Sequence, residues 1–348
     1  MTHKYLSSIF GLSLMATAAM AQFTPESTID ERIGGDEDHI KEVRGNISMF
    51  QEYYRQQNWN EAYPLLMQIV KDAPVANIGV YAYGPYILNQ LIVAETNADK
   101  KMQYFNDLML VYDTRLNNLA ALNSWQKPGQ TSTKGDVLMW KAYYYNECAP
   151  DAVYDANKCY DLFAEAIADV NENGGKDVKG AHLQSYFSLS LNLYKAAPQK
   201  YGERFLSDYL EAESACNKML EYARTAEDAD KAQKIINEYD PVLQYIQSAF
   251  AASGAADRET IIGIFTPRVE ENKTNLDYLN RALTLMAANN ADDSEPYYKA
   301  AEYAYQIKPS YQSAIATAQK NTKNGKAMEA LQYYNKALEL ATDDAQRG

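Results

Sequence analysis

The chain is poor in the residues that most catalytic centres need. It has three histidines and three cysteines in 348 residues, and its 46 Asp+Glu outnumber its 33 Lys+Arg, for a formal charge of −13. His39 and His182 lie far apart, with no second His or Cys at ligand spacing, so neither a zinc site nor a His-based triad is supported. A phosphate-cradling loop is lacking as well, because Gly325-Lys326 is followed by Ala327 where a Ser or Thr would have to hold magnesium. The acid excess repels phosphate backbones and anionic bilayers, which excludes nucleic acid as a partner and leaves membrane contact peripheral at most. No segment beyond the N-terminus is apolar enough to span a bilayer.

What remains of the chemistry is sparse. Cys148 and Cys159 either form a disulfide between adjacent helices or are small buried apolar residues, and Cys216 has no evident mate. Asp169, Asn171, Asn173, Gly174 and Asp177 follow the start of a calcium loop, but Gly180 stands where the bidentate glutamate belongs, and Asn173-Gly174-Gly175 reads equally well as a helix end. Adjacent carboxylates such as Glu270-Glu271, Asp292-Asp293 and Asp343-Asp344 diverge by about 100° on a helix and do not converge on one bond. Neither metal nor cofactor is expected.

What is present begins with a leader. Lys4 precedes an apolar stretch containing Ile9, Phe10, Leu12 and Leu14, and Ala19-Met20-Ala21 has the small-x-small form of a signal-peptidase site. Cleavage is expected near Ala21, placing the mature chain in a periplasm or outside the cell. Residues 22–35, with Pro25 and Gly34-Gly35, read as a flexible lead-in.

From 36 onward, apolar residues recur three and four apart. Residues 36–57 predict a helix with Ile40, Val43, Ile47, Phe50, Tyr53 and Tyr54 inward, and Asn58-Trp59-Asn60 turns it into a second with Ala62, Leu66 and Ile69 on one face. Further helices are expected over 81–93 and 100–119, and Pro128-Gly129 with the Thr-Ser-Thr run marks a linker at 123–135. Helix resumes at 136 with Val137, Trp140 and Tyr144 inward, followed by 151–172, 182–196 and 204–223. Residues 228–251 and 255–272 form the next expected pair, the latter kinked or split at Pro267, and 278–288 pairs with 295–307. The last unit, 311–344, turns at 323–326 and spaces Ala330, Tyr334 and Ala337 four and three apart.

That Ala-x3-aromatic-x2-Ala spacing resembles a tetratricopeptide (TPR) repeat, and Tyr297, Ala301 and Ala304 repeat it. The first helix of the last unit departs from the pattern at Ala314, Thr317, Ala318 and Asn321, as a terminal unit with only one packed side would. Residues 253–309 also look like the secreted TPR-containing proteins of Bacteroidota. The resemblance implies an all-α, right-handed superhelical solenoid of about seven antiparallel helix pairs, in N-terminal (36–122) and C-terminal (136–348) arrays.

The chain is rich in tyrosine, with 29 Tyr against 9 Phe, a side chain suited both to seams between short helices and to the floor of a groove. In TPR arrays the first helix of each pair lines the concave face. Carried over by position, this points to Arg44, Gln51 and Tyr54, then Tyr83, Tyr86 and Gln90, then Tyr143 and Asn146 as ligand-binding residues. The expected function is that of an exported, non-enzymatic scaffold holding a peptide or protein. A glycan-binding helical repeat and an α/α-toroid polysaccharide-active enzyme are the alternatives.

Overall fold

The computed structural model describes residues 23–176 and 178–341, the side chain of Arg281 excepted. The expected leader and cleavage site, Asp177 and the Asp343-Asp344 pair lie outside the described residues. Within them the fold is all-α, a succession of sixteen helices. The chain divides into two compact units. The first runs to Tyr144 and takes in Cys148–Ala152 and Ala168–Lys176; the second takes Tyr145–Glu147, Val153–Ile167 and the described residues after Lys176. The division therefore falls within two helices and not at the expected linker.

The first unit opens where an unpacked lead-in was expected. Helix α1 (Ile29–Ile33) starts on a capping box between Thr28 and Glu31. Ile33 is buried, the Arg32 guanidinium lies 4.1 Å over the Trp125 ring, and its Nε donates to the Ala76 carbonyl at 3.2 Å. A single buried residue and one well-placed arginine thus dock a segment that composition alone marks as loose.

α2 (Glu37–Arg55) begins where Asp36 accepts the His39 amide, and buries Val43, Ile47 and Phe50 against α3 (Trp59–Asp72), which returns Ala62, Leu66 and Ile69. α4 (Gly79–Ala94) packs on α3 and pairs with α5 (Ala98–Asn117). Short α6 (Leu119–Ser124) precedes the expected linker, which is tied down: Asn123 donates to the Ser132 carbonyl at 2.7 Å and accepts its amide at 3.1 Å. α7 (Lys134–Cys148) buries Val137, Leu138, Met139, Ala142, Tyr145 and Cys148. Trp140, expected inward, is half exposed, because a helix with large side chains on every face gives no clear phase. α8 (Ala156–Asn173) ends at Gly174, whose φ of 70° is the left-handed conformation glycine supplies at a helix end.

In the second unit α9 (Gly180–Ala196), α10 (Pro198–Thr225) and α11 (Ala229–Ala252) pack on one another, with Phe187, Phe205 and Tyr239 fully buried. α12 (Arg258–Glu271) lies against α10, α13 (Leu276–Ala288) and α14 (Glu295–Ile307). The expected pairing of 228–251 with 255–272 is thereby replaced, since α11 turns Tyr239, Val242, Ile246 and Phe250 towards the α9–α10 side. α12 also continues through Pro267. The proline ring crowds the residue four before it, here Gly263, which has open space around it, so the crowding is relieved.

α15 (Tyr311–Lys323) and α16 (Ala327–Leu340) close the unit on a seam of Ala314, Ala318, Ala330 and Ala337. Tyr334, expected in the packing position, is 39% exposed, and Met328, Leu331 and Leu338 face outward with it. Among the described residues, only the alanine stripe of α16 is covered.

Close approach in the second unit is enforced at Gly180. Its amide donates to Glu238 Oε1, and a Cβ there would stand 2.7 Å from the Glu238 backbone oxygen. Gly180→Ala is expected to cost about 1–3 kcal/mol in urea denaturation, because backbone cannot yield as a side chain can. Gly45→Ala, in α2 with nothing near its Cβ, is expected to gain about 0.5–1 kcal/mol from helix propensity. Equal effects at the two sites would contradict the packing described.

Candidate functional site: an aromatic pocket with one cation

Gly84 sets the position of the site. A Cβ at Gly84 would come within 2.7 Å of Leu66 Cδ1, so the missing side chain lets α4 lie close on α3. Tyr83 and Tyr86, beside that contact, are turned outward. Tyr54 from the end of α2 stacks on Tyr83 with ring centroids 4.3 Å apart, and Trp59 meets Tyr86 edge-on at 5.6 Å. From the other side α7 brings Trp140 and, one turn on, Tyr144, whose ring lies 6.2 Å from that of Tyr112 on α5. Tyr54, Tyr83, Tyr86, Tyr112, Trp140 and Tyr144, with Tyr81, Ala82, Pro85 and Arg115, line a cavity of about 380 Å³. That is within the range of cavities that hold one small ligand group.

Three of the pocket's hydroxyls are held in the neutral form. Burial raises the Tyr112, Tyr81 and Tyr144 phenols, and the Tyr81 hydroxyl donates to the Pro74 carbonyl at 2.7 Å. Arg115 is the one cation of the lining. Desolvation lowers its pKa, its Nη2 donates to Ser132 Oγ at 3.1 Å, and its Nε is buried with no acceptor.

Of the residues expected from the sequence, Tyr54, Tyr83 and Tyr86 meet in this pocket. Arg44 instead pairs with Asp30 at 2.5 Å, and neither Gln51 nor Gln90 is part of the lining. Tyr143 touches Trp140 edge-on at 5.9 Å without lining the cavity. Asn146 belongs to the second unit, where it accepts from the Tyr154 hydroxyl at 3.1 Å. Trp140, Tyr144 and Arg115 were missed. The i,i+4 spacing of Trp140 and Tyr144 was visible but read as core.

Other groups that draw attention are spent on structure. A larger surface depression of about 800 Å³ includes Asp136 and Asp169. Asp136 accepts the Thr133 and Lys176 amides, and Asp169 accepts the Gly135 amide and the Asn173 side chain, so the calcium-like motif ties α7 to the end of α8. No group of three or more metal-binding side chains is found among the described residues. Cys148, Cys159 and Cys216 are buried thiols, not in disulfides, and burial pushes Cys159 and Cys216 up to about 12. His182 is buried and pushed down to about 4 by desolvation and Lys179, hence uncharged at neutral pH.

One further titratable group is perturbed. Asp208 on α10, 4% exposed, accepts from the hydroxyls of Tyr160 at 2.9 Å, Tyr186 and Ser190. The Arg204 guanidinium lies 3.7 Å over the Tyr160 ring beside it. A carboxylate sealed in this way joins α8, α9 and α10 and is out of reach of a ligand.

No family model and no curated protein matches the sequence. Among solved structures, a tetratricopeptide repeat protein from Parabacteroides merdae is similar to this chain at 12% identity and a TM-score of 0.32, over 88% of this chain and 95% of that one.

Proposed function

We propose that the protein is an exported, non-catalytic binding scaffold that holds a peptide or protein segment in the aromatic pocket of its first unit. The observation that carries this reading is the convergence of tyrosine and tryptophan rings from α2, α4, α5 and α7 on one open cavity. Rings of this kind supply large contact area at low entropic cost and are the usual anchors of recognition surfaces. Export rests on the leader and its cleavage motif, and places the partner in the periplasm or outside the cell.

The test is a random peptide library selected on the mature protein, followed by hydrogen exchange of the complex. Selected peptides are expected to be rich in aromatic residues and to slow exchange in α4 and in the part of α7 that carries Trp140. Protection confined to other segments would sink the reading.

A glycan is the second reading, favoured by the half-exposed Tyr86 and Trp140, each 42% exposed, which offer flat faces to sugar rings. Retardation by a polysaccharide panel in affinity electrophoresis, with no peptide selected, would favour it.

A further inference from the structure

Arg115 gives the pocket a charge preference that its rings do not. A guanidinium has five N–H donors, and this one makes a single hydrogen bond, to a neutral hydroxyl, while its Nε is buried without an acceptor. No carboxylate hydrogen-bonds to it, although Asp136 favours its charge through space. Asp113, two residues away on α5, pairs with Lys141, and Asp136 takes the backbone amides of Thr133 and Lys176. A desolvated cation with one hydrogen bond to a neutral hydroxyl and no carboxylate bonded to it gains from a ligand that brings a counter-charge into direct contact. The cavity on which Arg115 borders is walled by rings, so whatever enters can bring that charge together with an apolar body.

We propose that the pocket recognises a carboxylate carried beside an aromatic ring on a peptide, the carboxylate pairing with the Arg115 guanidinium while the ring packs among Tyr54, Tyr86 and Trp140. A carboxylate fits better than a phosphate. The planar fork of the guanidinium matches its two oxygens, and a dianion would require a second cation that the lining lacks. The overall charge of −13 disfavours anions in general, which makes the local preference specific to ligands able to fill the cavity. This proposal rests on the pocket being the binding site.

The experiment compares three labelled short peptides by fluorescence anisotropy with the full mature chain. One ends in tryptophan with a free carboxylate, the second is the same peptide amidated, and the third is amidated but carries glutamate next to the tryptophan. The free acid is expected to bind on the order of 10- to 100-fold more tightly than the plain amide, the loss expected when a charge-assisted hydrogen bond is removed. In Arg115→Gln the free acid and the plain amide are expected to bind alike. Recovery of affinity by the glutamate peptide assigns the preference to any carboxylate beside the ring; failure to recover it assigns it to the chain end, and either result supports the pairing. Equal binding of acid and amide to the unaltered protein would overturn the role of Arg115 and leave the pocket reading standing. Binding of none of the peptides would overturn the pocket reading, and the proposal with it. The comparison on the unaltered protein decides the matter even if Arg115→Gln folds poorly.

Discussion

Asp208→Ala is expected to destabilise the second unit by about 3–5 kcal/mol, measured by urea denaturation at neutral pH. The change removes the shared acceptor of three buried hydroxyls. Tyr160 and Tyr186 both donate to Oδ1 and Ser190 donates to Oδ2, so all three lose a partner at once. Each unsatisfied buried hydroxyl costs about 1–3 kcal/mol, partly offset because the carboxylate's own desolvation is no longer paid. Arg204, stacked over Tyr160, also loses an opposite charge beside it. Asp208→Asn is expected to cost less, since it keeps one acceptor oxygen while presenting an amide donor where a hydroxyl already donates. A wild-type midpoint for Asp208→Ala would mean that these hydroxyls do not depend on Asp208.

The same carboxylate has a pH signature. Burial raises its pKa above the ordinary 3.8, although the three hydroxyls and Arg204 favour the anion. A raised folded-state pKa means that protonation favours the folded chain. The contribution is therefore complete below the unfolded value and is lost as pH climbs through the folded one. The stability gap between the natural protein and Asp208→Ala should be widest in acid and should narrow from pH 3.8 upward until the carboxyl is ionised. A gap that widens with rising pH would reverse the sign of the burial effect.

Helix starts were readable because their caps are local. Asp36, Asn97, Asp228, Asn275, Ser294 and Ser310 each accept the amide three residues on, and the expected helices begin close to them. Partner choice was less readable. The short connection between α11 and α12 reads as a hairpin, yet the buried face of α11 is satisfied by α9 and α10, which precede it. The aromatic half of the pocket was partly legible, since Tyr83 and Tyr86 share a helix face with a packing glycine between them. Arg115 was not. It reads as an ordinary basic residue near a helix end. That no carboxylate bonds it directly is decided elsewhere, by Lys141 engaging Asp113 and by two backbone amides holding Asp136.

Replacing Tyr86 and Trp140 together by alanine is expected to weaken binding of pocket-selected peptides on the order of 100-fold, about 3 kcal/mol, as loss of central aromatic anchors does. Stability should fall by less than about 1 kcal/mol, because both rings are half exposed and neither carries the core. Tyr112→Ala is the informative contrast. That ring is 3% exposed and packs between α5 and α7, so its loss should cost about 3–5 kcal/mol of stability and confound any binding measurement. Tyr86 also meets Trp59 edge-on and Trp140 lies 6.1 Å from Tyr144, so each single change relaxes neighbouring rings, and the double variant need not equal the sum of the singles. The decisive quantity is therefore the ratio of binding loss to stability loss, from anisotropy and urea denaturation of the same preparations. A large ratio for the Tyr86 and Trp140 pair with a small one for Tyr112 separates rings that meet a ligand from rings that hold the wall. Undiminished binding in the double variant would move the site away from this cavity, whatever the stability result.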